Sequence, residues 1–335
     1  MSDTLGVGFI GLHMGGGQLR QVATIAGARV AAICDLDEEL LGKLQKEFDV
    51  PLATTDHREL CASPDVDIVS VAAPDYVHLE QAVCAFEHRK HVMVEKPLAR
   101  TVAECQEMID AWRDAGTMAM TAHVARFYAL FQRIKQWCED GTLGEPYHVY
   151  SSYIHNYEQI PGFNGWRFDP EKRHQLIGGG CHAIDLARWI GGEAAEVSCY
   201  ANHYNIPVLK TDDHFNINLR FENGMVGHVV GSFGCAHPYN IDLHVWGTNG
   251  TVIATNTLDT AKLCLRQIDR NKWMEFPAGR EAKGLAAEFG VLINAIRSDT
   301  PPSSDIVSGA RTVAIGWAAI ESANEGKPVV PKVDF

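Results

Sequence analysis

No run in this 335-residue sequence is long and apolar enough to span a bilayer, and no internal repeat or low-complexity tract interrupts it. Those absences set aside membrane-spanning, fibrous and solenoid classes. Positive charge is scarce: 29 Lys and Arg face 42 Asp and Glu, a net of -13. That balance argues against a nucleic-acid or anionic-membrane surface and favours a soluble protein. A small anionic ligand stays possible, because local amides and a few cations suffice to hold one. Cysteines at redox or zinc spacing are also missing. The nine thiols are odd in number and widely spaced, with no Cys-x-x-Cys pair, which fits reduced cytosolic thiols. The start, Met1-Ser2-Asp3-Thr4, has no basic segment followed by an apolar core. No signal peptide and a cytoplasmic location are therefore expected.

Hydrophobic residues make up 46% of the chain, and its length exceeds one typical core, so two domains are expected. Residues 5–10, 28–34, 67–73, 91–95 and 118–122 read as short buried strands, with helical patterns between them. Thr101 with Glu104 forms a capping-box pattern. Alternating strands and helices predict a parallel, doubly wound sheet over residues 1–122. The pattern then changes. Residues 147–153, 197–203, 215–221, 226–233, 241–246 and 251–255 read as longer alternating strands, and Asn223-Gly224 and Asn249-Gly250 suit hairpin turns. The fold class is therefore α/β. A Rossmann doubly wound parallel sheet precedes a second α/β domain, residues 123–335, with a large open, mainly antiparallel sheet. Helical stretches at 282–297 and 308–324 finish the chain.

The first strand runs into Gly11-Leu12-His13-Met14-Gly15-Gly16. This approximates the dinucleotide pattern Gly-x-Gly-x-x-Gly, with His13 where the middle glycine belongs and Gly11 and Gly16 in place. A glycine-rich turn with no ligand reads the same way. Asp35 ends the second strand, where a carboxylate binds adenosine ribose hydroxyls and repels a 2′-phosphate. NAD is thus favoured over NADP; the alternative is a plain helix cap. The run His91-Val92-Met93-Val94-Glu95-Lys96-Pro97 delivers an acid and a base at the carboxyl end of a strand, where open α/β sheets bind ligands. A buried Glu95–Lys96 ion pair is the structural alternative.

In order and spacing these features resemble the glucose–fructose oxidoreductase and inositol dehydrogenase family. The carriers are Gly11 to Gly16, Asp35, Ala73-Pro74-Asp75 with His78, Glu95-Lys96-Pro97, Arg126, Trp166-Arg167, Gly180-Cys181-His182 with Asp185, and Gly247 to Gly250. The resemblance implies hydride exchange between NAD or NADP and a carbinol carbon on a sugar, sugar derivative or cyclitol. It also implies a C-terminal domain whose open sheet face forms a homodimer or homotetramer. It makes Lys96 the active-site lysine and His182 the catalytic histidine. The cofactor set it implies is Gly11, His13, Met14, Asp35, Ala73, Pro74, His78, Glu95, Lys96 and Arg126. Members usually carry an aspartate four residues before the histidine; here that residue is Gly178. His155, Tyr157, Asp169 and Cys181 are the candidates to fill that gap.

As a base, His182 suits removal of a hydroxyl proton, because imidazole titrates near operating pH. A core histidine donating to a carbonyl is the structural alternative. Lys96 would hydrogen-bond the reacting oxygen. His78 either walls the nicotinamide ribose or is an ordinary helix residue, and Arg126 is a ligand contact or a salt-bridge partner. His155, Tyr157, Trp166, Arg167 and Asp185, with Lys96 and His182, are expected to meet the substrate, since aromatic faces and donors suit a sugar ring. Packing of a loop is the alternative for the aromatics. Neither His182-x-x-Asp185 nor Asp212-Asp213-His214 has a third ligand at fixed spacing, so no metal is expected. Two other functions compete with a dehydrogenase. One is a glycosidase or lyase that oxidises a sugar transiently with retained NAD; the other is a non-catalytic NAD- or sugar-sensing protein.

Overall fold

The computed structural model describes residues 4–159, 165–257, 260–277 and 284–335. By contacts the chain divides into two units: residues 1–124 with 284–310 and 335, and residues 125–283 with 311–334.

The first unit is built on β1 (Leu5–Ile10), β2 (Ala28–Cys34), β3 (Leu52–Thr54), β4 (Ile68–Val71), β5 (His91–Glu95) and β6 (Ala119–Ala122). They form one sheet of order β3-β2-β1-β4-β5-β6, parallel throughout. Helices α1 (Leu12–Val22), α2 (Glu38–Phe48), α3 (His57–Ala62), α4 (His78–Glu87) and α5 (Val102–Ala115) connect the strands. All four residues of β4 and the middle three of β5 are buried. This is why they read as continuous apolar runs rather than alternating ones. The helices start where side-chain caps allow. Asp37, Asp56 and Thr101 accept from the backbone N–H of Leu40, Arg58 and Glu104. The reciprocal bond from Glu104 reaches the N–H of Arg100, one residue before the cap. β3 and α3 are too short to leave a periodic signal and were not read from sequence.

The second unit begins with α6 (Ala129–Glu139) and β7 (Pro146–Ile154), then α7 (Cys181–Gly191). Strands β8 (Ala194–Asn202), β9 (His214–Phe221), β10 (Val226–Ser232), β11 (Asn240–Gly247), β12 (Gly250–Thr255), β13 (Thr260–Leu265) and β14 (Met274–Pro277) follow. The sheet order is β14-β13-β12-β11-β7-β10-β9-β8. Only the β7–β10 pair is parallel. At the β9–β10 turn Gly224 has φ 86°, which favours glycine, and the Asn223 side chain accepts from the N–H of Met225. Helix α7 packs on β7, β10 and β11. The other face of those strands carries His148, Tyr150, His228, His244 and Trp246. His148 and Trp246 meet edge-on at 4.6 Å, and Tyr150 lies 5.0 Å from His244.

Two helices close the chain, α8 (Leu285–Ser298) and α9 (Ile306–Glu325). Residues 282 and 283 of the expected helix lie outside the described residues. α8 packs in the first unit against α1 and β6, with Phe289 set 6.0 Å from Phe9 of β1. One turn of α8 buries a charge-bearing group: Glu288 has no solvent exposure. Neither of its carboxyl oxygens has a hydrogen-bond partner. Burial, reinforced by the charge of Glu95, holds its carboxyl well above the usual range, so the native protein keeps this proton. The unfolded chain releases it above about pH 4.3. Stability therefore falls as pH rises from there towards the native titration, by about 1.4 kcal/mol per pH unit. Glu288→Gln removes that loss. Its stability advantage over the parent should be smallest near pH 4 and grow towards neutrality in denaturant titrations. A pH-independent difference would show that Glu288 is ionised in the folded chain.

Candidate active site

The turn from β1 into α1 is shaped by Gly11, with φ 87°. A Cβ there would lie 2.6 Å from the Ala73 nitrogen and 2.7 Å from the Ala72 carbonyl, so only glycine fits beside the end of β4. Its N-cap residue, Gly11, has no side chain to offer, and its first turn carries no acid. Behind this glycine turn an 11-residue helix presents the backbone N–H groups that follow Leu12 to a pyrophosphate. Asp35 lies alongside. Its carboxylate accepts from the N–H of Leu12 at 2.6 Å and of Asp37 at 2.9 Å. These residues fit a dinucleotide: amides for phosphate, and a carboxylate at the end of β2 for the ribose diol. His13 turns outward, 3.5 Å from Asp37 with its side chain 76% exposed, and Met14 is exposed. The missing middle glycine thus puts an imidazole at the rim rather than into the turn.

At the ends of β4 and β5, His78 is buried and its two ring nitrogens face the carbonyl oxygens of Ala73 and Pro97. It ties the Ala73-Pro74 turn to the Glu95-Lys96-Pro97 turn. Glu95 accepts from Gln18 Nε2 at 2.8 Å and from the N–H of Lys96 at 3.2 Å, and Gln18 accepts from Ser70 Oγ at 2.7 Å. Desolvation raises the Glu95 carboxyl, against the opposing pull of Lys96 and His78. Glu95 is thus a strut that anchors the backbone of Lys96. Gln18, one helix away, was missed in the sequence because nothing marks a glutamine as a partner 77 residues from its carboxylate.

In the second unit His182 stands in the first turn of α7 and is 6% exposed. The Tyr153 ring stacks on it at 5.3 Å and 16°. Burial and neighbouring tyrosines raise the Tyr153 phenol well above its ordinary value, so it stays protonated. Its hydroxyl lies 3.2 Å from His155 Nδ1, and His155 and Tyr157 meet edge-on at 5.4 Å. His155, Tyr157 and His182 are therefore brought together, around a tyrosine that the sequence reading had only grouped with its neighbours.

Asp185, one turn beyond His182, is 1% exposed and receives the Arg126 guanidinium in bidentate fashion, at 2.7 and 2.6 Å. Thr312 Oγ1 adds a bond at 3.1 Å. Arg126, read from the sequence as either a ligand contact or a salt-bridge partner, makes the salt bridge with Asp185, because a buried charge needs a hydrogen-bonded counter-charge.

The three glycines 178–180 lie in a π-helical turn, Leu176–Gly180, leading into α7. A Cβ on Gly179 would overlap the Tyr157 hydroxyl, and one on Gly178 would overlap the guanidinium of Arg173, 2.6 Å from Nη2. The Arg173 guanidinium thus occupies the space that a side chain at 178 would need, and His155 and Tyr157, two of the residues named for that gap, lie against Tyr153. Asp169 instead accepts from the N–H of Glu171 and pairs with Lys172, and the Cys181 thiol points to the Gly179 carbonyl. Arg167 and Arg173 lie over the Trp166 ring, at 4.5 and 5.6 Å from its centroid.

Of the residues considered for metal, Asp213 accepts backbone N–H groups of Tyr204, Asn205 and Ile206 and so anchors a loop. Among the described residues no group of three or more His, Cys, Asp or Glu is arranged to hold a metal ion, and no helix is long and apolar enough to cross a membrane.

Residues 5–123 match the model of an oxidoreductase family with an NAD-binding Rossmann fold, and residues 131–253 match the GFO/IDH/MocA C-terminal domain. Myo-inositol 2-dehydrogenase of Thermotoga maritima is 28% identical over 337 residues, covering 96% of this chain and 97% of that protein. Levoglucosan dehydrogenase of Pseudarthrobacter phenanthrenivorans is 28% identical over 253 residues, covering 66% of this chain and 63% of its own. Among solved structures, a levoglucosan dehydrogenase complex with NADH and levoglucosan aligns with a TM-score of 0.90 at 24% identity, over 98% of this chain and all of that one.

The buried pair generates a prediction. Asp185→Asn leaves Arg126 without its counter-charge and should cost about 3–5 kcal/mol in urea unfolding. A loss below about 1 kcal/mol would mean that the pair does not hold α7.

Proposed function

The chain belongs to the GFO/IDH/MocA oxidoreductase family, with an NAD-binding Rossmann domain and hydride-transfer dehydrogenase activity on CH–OH groups, and from that premise we propose that its substrate is a sugar, sugar derivative or cyclitol. The observations that carry this reading are a Glu95-anchored Lys96 at the end of β5 in the first unit and a nearly buried, tyrosine-stacked His182 on α7 in the second. The substrates named for the inositol and levoglucosan dehydrogenase relatives are polyhydroxylated rings. Bound NAD supplies the hydride acceptor in the oxidative direction. His182 takes the hydroxyl proton as the hydride departs, and Lys96 donates a hydrogen bond to the oxygen that becomes a carbonyl. Tyr153 fixes the plane of the imidazole, and the Arg126–Asp185 pair holds the helix that carries it. Residues 1–122, with α8 packed against them, serve the cofactor, and the second unit serves the substrate and self-association.

Asp35 favours NAD over NADP, because its carboxylate would face the 2′-phosphate. Gly11, His13, Met14, Ala73, Pro74 and His78 border or brace the dinucleotide. Self-association into a homodimer or homotetramer uses the sheet face that carries Tyr150, His244 and Trp246, aromatic groups of the kind interfaces favour. The working location is the cytoplasm, in keeping with nine cysteines that are all free thiols.

The test is reduction of NAD during incubation with a panel of sugars and cyclitols. Lys96→Ala and His182→Ala should each lower kcat/KM by about 10²–10⁴-fold while NADH binding persists. Full activity in both variants would remove the proposed chemistry.

A further inference from the structure

Helix α1 carries one buried polar side chain whose bonds lead to the proposed active-site lysine. Gln18 is 1% exposed. Its Oε1 accepts from Ser70 Oγ at 2.7 Å, and its Nε2 donates to Glu95 Oε1 at 2.8 Å. The other Glu95 oxygen accepts from the N–H of Lys96 at 3.2 Å. The direction of these bonds is fixed by chemistry. A carboxylate only accepts, so the amide must turn its N–H to Glu95, and the serine must then donate to the amide oxygen. Ser70 is wholly buried on β4 and has no solvent to turn towards.

Each oxygen of Glu95 thus faces an N–H, an arrangement that suits the charged form. That form has opponents. Burial raises the Glu95 carboxyl, with Asp75 acting in the same sense, and Lys96 and His78 oppose them. Glu288 of α8 lies near enough for the charge of Glu95 to act on it, and it keeps its own proton. These two acids therefore hold one charge and one proton between them, and the charge lies on the one with donors. A cation at position 18 would compete with Lys96 for the carboxylate. A neutral amide supplies a donor and leaves the charge to the lysine.

We propose that Gln18 is a positioning residue for the dehydrogenase reaction: its amide, oriented by Ser70, keeps the Glu95 carboxylate charged and so fixes both the place and the charge of Lys96. This rests on the dehydrogenase reading above. Gln18 acts through Glu95 and exchanges no proton itself.

The experiment follows kcat and KM from about pH 5 to 9 with NAD and a sugar or cyclitol that the parent oxidises. Gln18→Leu should move the acid limb of kcat to higher pH by about 1–2 pH units, the scale of one charge-assisted hydrogen bond. The sign follows from Glu95: without the donor its carboxyl takes a proton at higher pH, and activity is lost from the acid side upwards. KM for the sugar and NADH binding should change little. Ser70→Ala should act in the same direction and less strongly. The exchange Gln18→Glu with Glu95→Gln keeps the hydrogen bond between the two side chains but moves the charge away from Lys96. It should fold, bind NADH and remain at least about 10-fold slower than the parent. Circular dichroism melting reports folding; if Gln18→Leu does not fold, the exchange decides. Lys96 gives a reading independent of turnover. Its modification by an amine-directed acylating reagent, followed by mass spectrometry, should begin at lower pH in Gln18→Leu and in the exchange than in the parent. An ammonium that loses a neighbouring negative charge yields its proton more readily. A parental pH profile in Gln18→Leu, or parental activity in the exchange, overturns the proposal and leaves the dehydrogenase reading intact. No NAD reduction by the parent overturns that reading, and the Lys96 modification then decides the role of Gln18 alone.

Discussion

The buried contact between Arg126 and Asp185 is the constraint on which the second unit's chemistry depends. Taking two charges out of water costs several kcal/mol per ion, and their attraction offsets this only when the geometry is bidentate and the remaining lone pairs are used. Both conditions hold: two guanidinium bonds reach the carboxylate, and Thr312 supplies a third. An apolar pair of similar volume would pack there without that cost. What an apolar pair lacks is direction. The fork fixes the rotation of α7 about its own axis, and one turn earlier that rotation decides where the His182 imidazole lies against Tyr153. The charges thus act on the reaction through the helix they orient.

The first unit treats its acids differently. Glu95 has two donors and a cation nearby, whereas Glu288 is wholly enclosed and has none on its oxygens. A buried, unpartnered acid lowers stability at neutral pH relative to a neutral isostere. Natural chains tolerate such losses where function uses the group or where the margin allows it. Both carboxyls belong to the same unit, and the charge of Glu95 adds to the burial that keeps the Glu288 proton in place.

Much of the fold was legible because parallel strands buried on both faces leave unbroken apolar runs, and because Asp37 and Thr101 mark helix starts with a chemistry that sequence displays. The alternating strands of the second sheet were legible for the complementary reason, one covered face and one open. β13 and β14 were not, since their apolar and polar residues are too few and too mixed to stand out. Within the site, Gly11, Asp35 and Lys96 could be named from local pattern, and His182 from the family resemblance. Their partners could not. Arg126 and Asp185 are 59 residues apart, and Gln18 and Glu95 are 77 apart. Such contacts are set by packing, which a one-dimensional pattern does not encode.

The Gly178 position shows why even a short sequence separation can hide a contact. Arg173 is only five residues away, but it lies in the irregular stretch before the π turn of Leu176 to Gly180, where no periodicity relates its side chain to position 178, and the glycines leave room for both the guanidinium and the Tyr157 hydroxyl. One small-residue run thus fixes steric and electrostatic properties together.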